Sequence, residues 1–204
     1  MTVIIPHYGD DALLKNCLAS LDTEDVIVWD GNEDNFGFAG NCNRAAEQAT
    51  GDTLVFLNND TIAHRGWLAP LEDALDLYPI AGSLLLYPDG RIQHSGVSIL
   101  RYTNGTLEAR NLTYPHPSGE VAAVTGACLA IRRDLFNALG GFDEGFVNGY
   151  EDVDLCLRAT DATGMRCWFA AESKLTHLES QSGAERWTHV RQNVDRLNEK
   201  WGER

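Results

Sequence analysis

The sequence lacks what a membrane-spanning chain needs. None of its apolar runs approaches the roughly 20 residues that cross a bilayer. Met1 leads straight into the apolar segment Val3-Ile4-Ile5 without the basic leader of a signal peptide. A soluble, cytoplasmic protein is the expectation. Signals for cysteine pairing are also missing. Cys17, Cys42, Cys128, Cys156 and Cys167 are odd in number and include no CxxC pair. That pattern favours free thiols over a disulfide framework or a zinc site. Internal repeats and low-complexity linkers are absent too. The 204 residues, 44% of them hydrophobic, therefore read as one α/β domain spanning 1–204 with a core of its own.

Positive charge is scarce. Lys and Arg number 16 against 30 Asp and Glu, for a net charge of −14. Such a balance disfavours non-specific attraction to nucleic-acid backbones or anionic membranes. Across the first sixty residues the only bases are Lys15 and Arg44, set among acids such as Asp10, Asp11, Asp30, Asp52 and Asp60. If this half holds a diphosphate, side-chain cations are a poor explanation. A divalent metal is then the natural bridge between protein carboxylates and phosphate oxygens.

What is present is an alternation. Thr2–Pro6 reads as a buried strand, Ala12–Leu21 as a helix, and Val26–Trp29 as a second strand. A glycine-rich turn, Asn35-Phe36-Gly37-Phe38-Ala39-Gly40, precedes a helix over Asn41–Ala49, and Thr53–Leu57 is a third strand. This order predicts a parallel sheet flanked by helices, with ligands beyond the carboxyl ends of the strands. Those ends carry His7-Tyr8, Asp30 and Asp60. Further on, Leu68–Leu77 reads as a helix and Arg91–Leu100 as a strand, while residues 101–120 read as loop. Helices are expected over Glu151–Ala159 and from about Ala184 to Trp201. The last has an apolar seam at Trp187, Val190, Val194, Leu197 and Trp201 with bases around it. Docking on the protein's own core is its plain reading, and a peripheral membrane contact is the alternative.

Several fragments, in order, carry a resemblance. They are Val3-Ile4-Ile5-Pro6-His7-Tyr8, the Asn35–Asn41 turn, Phe56-Leu57-Asn58-Asn59-Asp60-Thr61, Thr125-Gly126-Ala127-Cys128, Gly140-Gly141-Phe142-Asp143-Glu144, and Tyr150-Glu151-Asp152-Val153-Asp154. Together they resemble the family 2 glycosyltransferases, especially small rhamnosyltransferase-like members. The resemblance implies a GT-A fold, a Rossmann-like mostly parallel sheet with helices on its faces. Residues up to about 100 would bind the nucleotide-sugar, and about 101–204 would form the acceptor side. One departure stands out: only Gly31–Asp34 separate Asp30 from Asn35. An edge strand and its helix are deleted, which shortens the sheet after the second strand.

The resemblance also assigns residues. It implies an inverting enzyme that moves a sugar from a nucleoside-diphosphate-sugar to an acceptor hydroxyl. The acceptor class stays open among glycan, lipid-linked sugar, protein and modified nucleobase. Asp152 would be the general base, which takes the acceptor proton during attack. Glu151 would hold the acceptor or orient Asp152, and Asp154 would support the helix. Pro6, His7, Tyr8 and Asp30 would line the nucleoside pocket, with Asn35, Gly37, Phe38, Asn41, Asn58, Asn59, Gly126 and Ala127 completing the donor site. Asp60 would coordinate Mn²⁺ or Mg²⁺, with His177 completing the metal site. His94 and His116 have no comparable context. Two other readings fit parts of the pattern: a metal-dependent nucleotidyltransferase and a non-catalytic nucleotide-sugar-binding module. The first usually has a basic phosphate loop after the first strand, whereas His7-Tyr8-Gly9-Asp10-Asp11 is acidic.

Overall fold

The computed structural model describes residues 1–178 and 188–202. Its first half alternates as expected: β1 (Thr2–His7), α1 (Asp11–Ser20), β2 (Val26–Asp30), α2 (Gly37–Ala46) and β3 (Thr53–Leu57). β4 (Thr61–Ala63), α3 (Ala69–Ala74) and β5 (Ile80–Leu86) follow. Then come β6 (Ile92–His94), β7 (Val97–Arg101), β8 (Leu107–Asn111), β9 (Gly119–Val121) and β10 (Cys128–Arg132). The chain continues with α4 (Arg133–Ala138), α5 (Glu151–Thr163), β11 (Cys167–His177) and α6 (Val190–Trp201).

The main sheet runs β2-β1-β3-β10-β5-β11-β4, with β6 on β5 and β9 on β11. β1, β2, β3, β5 and β11 point the same way, while β10 and β4 are reversed. The chain leaves β1 for β2 on one side and reaches β3 on the other. That reversal of winding opens a crevice at the carboxyl ends of β1 and β3. Pro6 widens it. The β1–β3 register ends at Ile4↔Phe56, whereas β1 stays paired with β2 as far as His7↔Asp30. Proline has no N–H to continue a ladder on both sides. β2 forms the outer edge, and no strand or helix lies between it and α2, as the short Gly31–Asp34 link implied.

Two sequence expectations need correction. Residues 91–100 are not one strand. The chain breaks at Ser95-Gly96, where Gly96 has φ +113° and an added Cβ would lie 2.7 Å from Val121. Residues 101–120 are not simply loop either. β7 and β8 form a hairpin with Ile99 opposite Ala109, and β9 pairs with β11.

The core on one face centres on aromatic rings. Phe142 packs on Phe56 at 4.8 Å, on Phe136 at 5.5 Å and on Phe38 at 5.7 Å between centroids. Asn43 of α2 fixes Phe142 by its backbone, accepting its N–H at 2.8 Å and donating to its C=O at 2.9 Å. Gly141 is required beside this clamp: its φ is +75°, and a Cβ there would sit 2.5 Å from the Asn43 oxygen.

α6 docks on the protein itself. Trp201 Nε1 donates to the fully buried Asp154 at 2.9 Å. Arg196 and Lys200 both reach Asp143, at 2.8 and 2.7 Å. Those two bases are thereby engaged within the fold. Asp154 thus anchors α6, a different helix from the α5 it was expected to support. The expected start of this helix at Ala184, with Arg186 and Trp187, lies outside the described residues.

Burial alone would raise the Asp143 carboxyl. Bonds from Lys200, the Gly145 N–H and Arg196 outweigh it and hold the group down to about 2. A depressed acid contributes stability above its unfolded pKa of about 4 and loses it as pH falls toward the folded value. Asp143→Asn should therefore be less stable than the parent at neutral pH, and the gap should close between about pH 4 and about pH 2. Urea unfolding across that range measures it. A gap independent of pH would refute the assignment.

Candidate active site

The functional side chains gather at one sheet edge for a topological reason. β1, β2, β3 and β11 all end there, and the reversed β10 begins there. The first link runs between β3 and β10: Asn58 N–H donates to Ala127 C=O at 3.0 Å, and Leu57 pairs with Cys128. The second link runs from β10 to α5: Gly126 N–H donates to Asp152 Oδ2 at 2.8 Å. The Asn58-Asn59-Asp60 loop and the Asp152 carboxylate are therefore joined through two adjacent residues.

Asp152 sits in the first turn of α5 and is half-buried. Desolvation raises its carboxyl, while the N–H groups of Gly126 and Val153 act the other way. Each oxygen receives one of those bonds, Oδ2 from Gly126 and Oδ1 from Val153 at 2.8 Å. A carboxylate has about four lone-pair sites, so both oxygens retain accepting capacity. The turn feeding α5 is strained: Asn148 and Tyr150 have φ of +49° and +72°, in a region unfavourable to residues with a Cβ. Asn148 Oδ1 accepts the N–H of Phe38 at 3.3 Å, tying this turn to the start of α2.

Glu151 is turned into the protein. It is 6% exposed, and Oε2 accepts the Gly149 N–H at 2.7 Å. Desolvation, then the neighbouring Asp152 charge, raises its carboxyl. Its place suits support of the strained turn rather than contact with substrate.

Asp60 and His177 do come together. His177 Nε2 lies 3.1 Å from Asp60 Oδ1, across the β11–β4 pairing. Asp60 Oδ1 is buried and has no hydrogen bond. Asn58 Nδ2 is 3.4 Å from the same imidazole nitrogen. Among the described residues no cluster of three or more His, Cys, Asp or Glu is arranged for a metal. Asp60 and His177 thus stand as a pair.

His7 departs from expectation. Its ring is 1% exposed rather than lining a pocket. Asn59 Nδ2 donates to Nδ1 at 2.8 Å, and Nε2 lies 3.1 Å from Asp11. The ring therefore buttresses the Asn58–Asp60 loop. Tyr8 is 62% exposed, with a free aromatic face. Asp30 is exposed beside it and accepts the Asn32 N–H at 2.9 Å. Pro6 stays half-buried within β1. Asn35 and Asn41 stabilise their own turn: Asn35 accepts the Gly37 N–H, and Asn41 accepts the Phe36 N–H, each at 2.9 Å. Gly37 takes φ +72° there. Sequence reading missed Asn32, Asn43 and Gln93. Each acts through a partner distant in sequence, and no local pattern flagged it.

The family called "Glycosyltransferase like family 2" matches residues 2–188. The chain belongs to that family. Among curated relatives, the O-antigen biosynthesis protein RfbC of Myxococcus xanthus is 34% identical over 76% of this chain, which covers 13% of RfbC. The N-acetylglucosaminyl-diphospho-decaprenol L-rhamnosyltransferase of Mycobacterium tuberculosis is 26% identical over 72% of this chain and 53% of its own length. This family 2 chain thus spans about half of one relative and a small part of the other. Its fold is GT-A. The structure of GalNAc-T7 with UDP, GalNAc and Mn²⁺ aligns with a TM-score of 0.66 and 18% identity, over 86% of this chain and 42% of that one. Among the described residues no helix is long and apolar enough to cross a membrane.

Gly126 leaves little room for added bulk in this family 2 site. A Cβ there would lie 3.0 Å from the Phe38 ring and 3.4 Å from Asp152 Cβ. Gly126→Ala is expected to cost about 1–3 kcal/mol of stability, the usual range for overpacking. Chemical denaturation reads this directly. An unchanged unfolding free energy would mean that Phe38 yields freely.

Proposed function

We propose that this chain is an inverting glycosyltransferase, moving a sugar from a nucleoside-diphosphate-sugar to an acceptor hydroxyl. The observation that carries the reading is the bond from Gly126 to Asp152. It fastens a carboxylate of raised proton affinity to the strand end that also positions Asn58, Asn59 and Asp60. As the acceptor oxygen attacks the anomeric carbon from the face opposite the leaving group, Asp152 takes its proton. The bond from that carbon to the diphosphate oxygen breaks, and the nucleoside diphosphate leaves. Tyr8 offers a ring for the base, and Asp30 beside it a carboxylate for ribose hydroxyls.

Asp60 and His177 fit a divalent cation, Mn²⁺ or Mg²⁺. The buried, unbonded Oδ1 faces an imidazole nitrogen, and such ions commonly use few protein ligands together with substrate phosphate. When bound, the cation neutralises charge on the leaving diphosphate. The acidity of this half makes such help necessary, since Lys15 and Arg44 are the only bases in its first sixty residues.

A donor screen tests the whole reading: nucleotide-sugars with Mn²⁺, monitoring the product. Release of nucleoside diphosphate is expected, whereas pyrophosphate would indicate a nucleotidyltransferase. Calorimetry with nucleoside diphosphate should show binding that collapses on chelation. Equal affinity with and without chelator would remove the metal role of Asp60.

A further inference from the structure

We infer that Gln93 is a positioning residue that fixes the proton of His177 on Nδ1 and so keeps Nε2 for a cation beside Asp60; the inference builds on the metal-binding reading above. Gln93 is buried, one residue before the end of β6. Its Nε2 donates to the backbone C=O of His177 at 3.3 Å. A carbonyl can only accept, so this contact settles which end of the amide is which. The other end, Oε1, lies 2.5 Å from His177 Nδ1. An amide oxygen also only accepts, so Nδ1 must carry the proton. In the neutral ring Nε2 then holds a lone pair.

One contact from another strand end agrees. Asn58 Nδ2, a donor, lies 3.4 Å from Nε2. Asp60 Oδ1 faces Nε2 at 3.1 Å without a hydrogen bond of its own. Two electron-rich atoms so placed are brought to terms by a cation or by a second ring proton. Either way the Nδ1 proton stays on Gln93, and only the Nε2 side changes. Without Gln93 the neutral ring would gain most by moving its proton to Nε2 and donating to Asp60. That tautomer closes the pair to a metal. Ligand histidines are commonly oriented through their second nitrogen, and loss of the orienting partner typically weakens metal binding about 10–100-fold.

The test uses nitrogen-resolved NMR of His177 in the metal-free protein, at a pH where the ring is neutral, and Mn²⁺ titration by calorimetry. The wild type should carry its proton on Nδ1. Gln93→Leu should shift it toward Nε2 and weaken Mn²⁺ roughly 10–100-fold. Gln93→Glu keeps an acceptor for Nδ1–H, although it no longer donates to the His177 carbonyl, and should restore the Nδ1 tautomer. A wild-type ring protonated on Nε2 overturns the proposal with no variant needed, even if Gln93→Leu fails to fold. So does a folded Gln93→Leu with tautomer and Mn²⁺ affinity unchanged. A wild type protonated on Nδ1 that binds no Mn²⁺ supports the positioning by Gln93 and overturns the metal reading instead.

Discussion

Asp152→Asn is expected to bind the donor nucleotide as the parent does and to transfer sugar roughly 10²–10⁴-fold more slowly, the usual loss when acid–base assistance goes. Asparagine has nearly the same shape and still offers one oxygen to Gly126 or Val153, which both donate to the native carboxylate. It cannot take a proton. In the proposed function the donor contacts lie elsewhere, at Asp30 and at Asp60 with His177, so binding should survive. The loss should appear in kcat, because the proton moves only as the transition state forms. The raised carboxyl of Asp152 adds a second expectation: the acid limb of kcat should fall off above the ordinary aspartate range. Stopped assays with a defined acceptor decide it. Ordinary turnover in Asp152→Asn would move the base away from this residue.

Phe142→Ala should be the most destabilising change to a single side chain near the site, at about 3–5 kcal/mol. The ring is 2% exposed and touches Phe38, Phe56 and Phe136. Asn43 clamps its backbone from both sides, so the chain cannot collapse into the space left behind. A cavity that fails to close is what makes such substitutions expensive. Domains typically have only about 5–15 kcal/mol in hand, so the variant would be close to marginal. Phe142→Leu, which leaves a smaller void, should lose clearly less. Urea unfolding of both variants gives the comparison; equal losses would point to Asn43 rather than to the ring.

What could be read from the residues beforehand was whatever is local. The first three strands and the helices between them follow from short apolar runs and a helical period. The entry to α2, which begins at Gly37 rather than at the expected Asn41, is held by bonds among residues 35–41. The middle resisted because its structure depends on partners far away. β8 is half exposed and carries Glu108, Arg110 and Asn111, so its strand character comes from pairing with β7, not from its own pattern. Gly96 falls within the stretch read as one strand, yet Val121 leaves no room there for a side chain. The resemblance placed His7 in the nucleoside pocket. Only the packing reveals that Asn59 and Asp11 enclose it. Glu151 and Asp152 are neighbours that part ways for the same reason: the first turn of a helix points one inward and leaves the other half-buried at the edge.

The contacts that join the site span great lengths of chain. Asn148 meets Phe38 across 110 residues, and His177 meets Asn58 across 119. Closing such loops carries an entropic cost before any contact forms, and folds rich in distant pairings assemble slowly. A ribosome delivers the Asn58-Asn59-Asp60 loop long before His177. At about 5–20 residues per second, the nascent acidic half waits several seconds for the strand that completes it. The loop after β3 therefore meets its β11 partner only after more than a hundred further residues have been made.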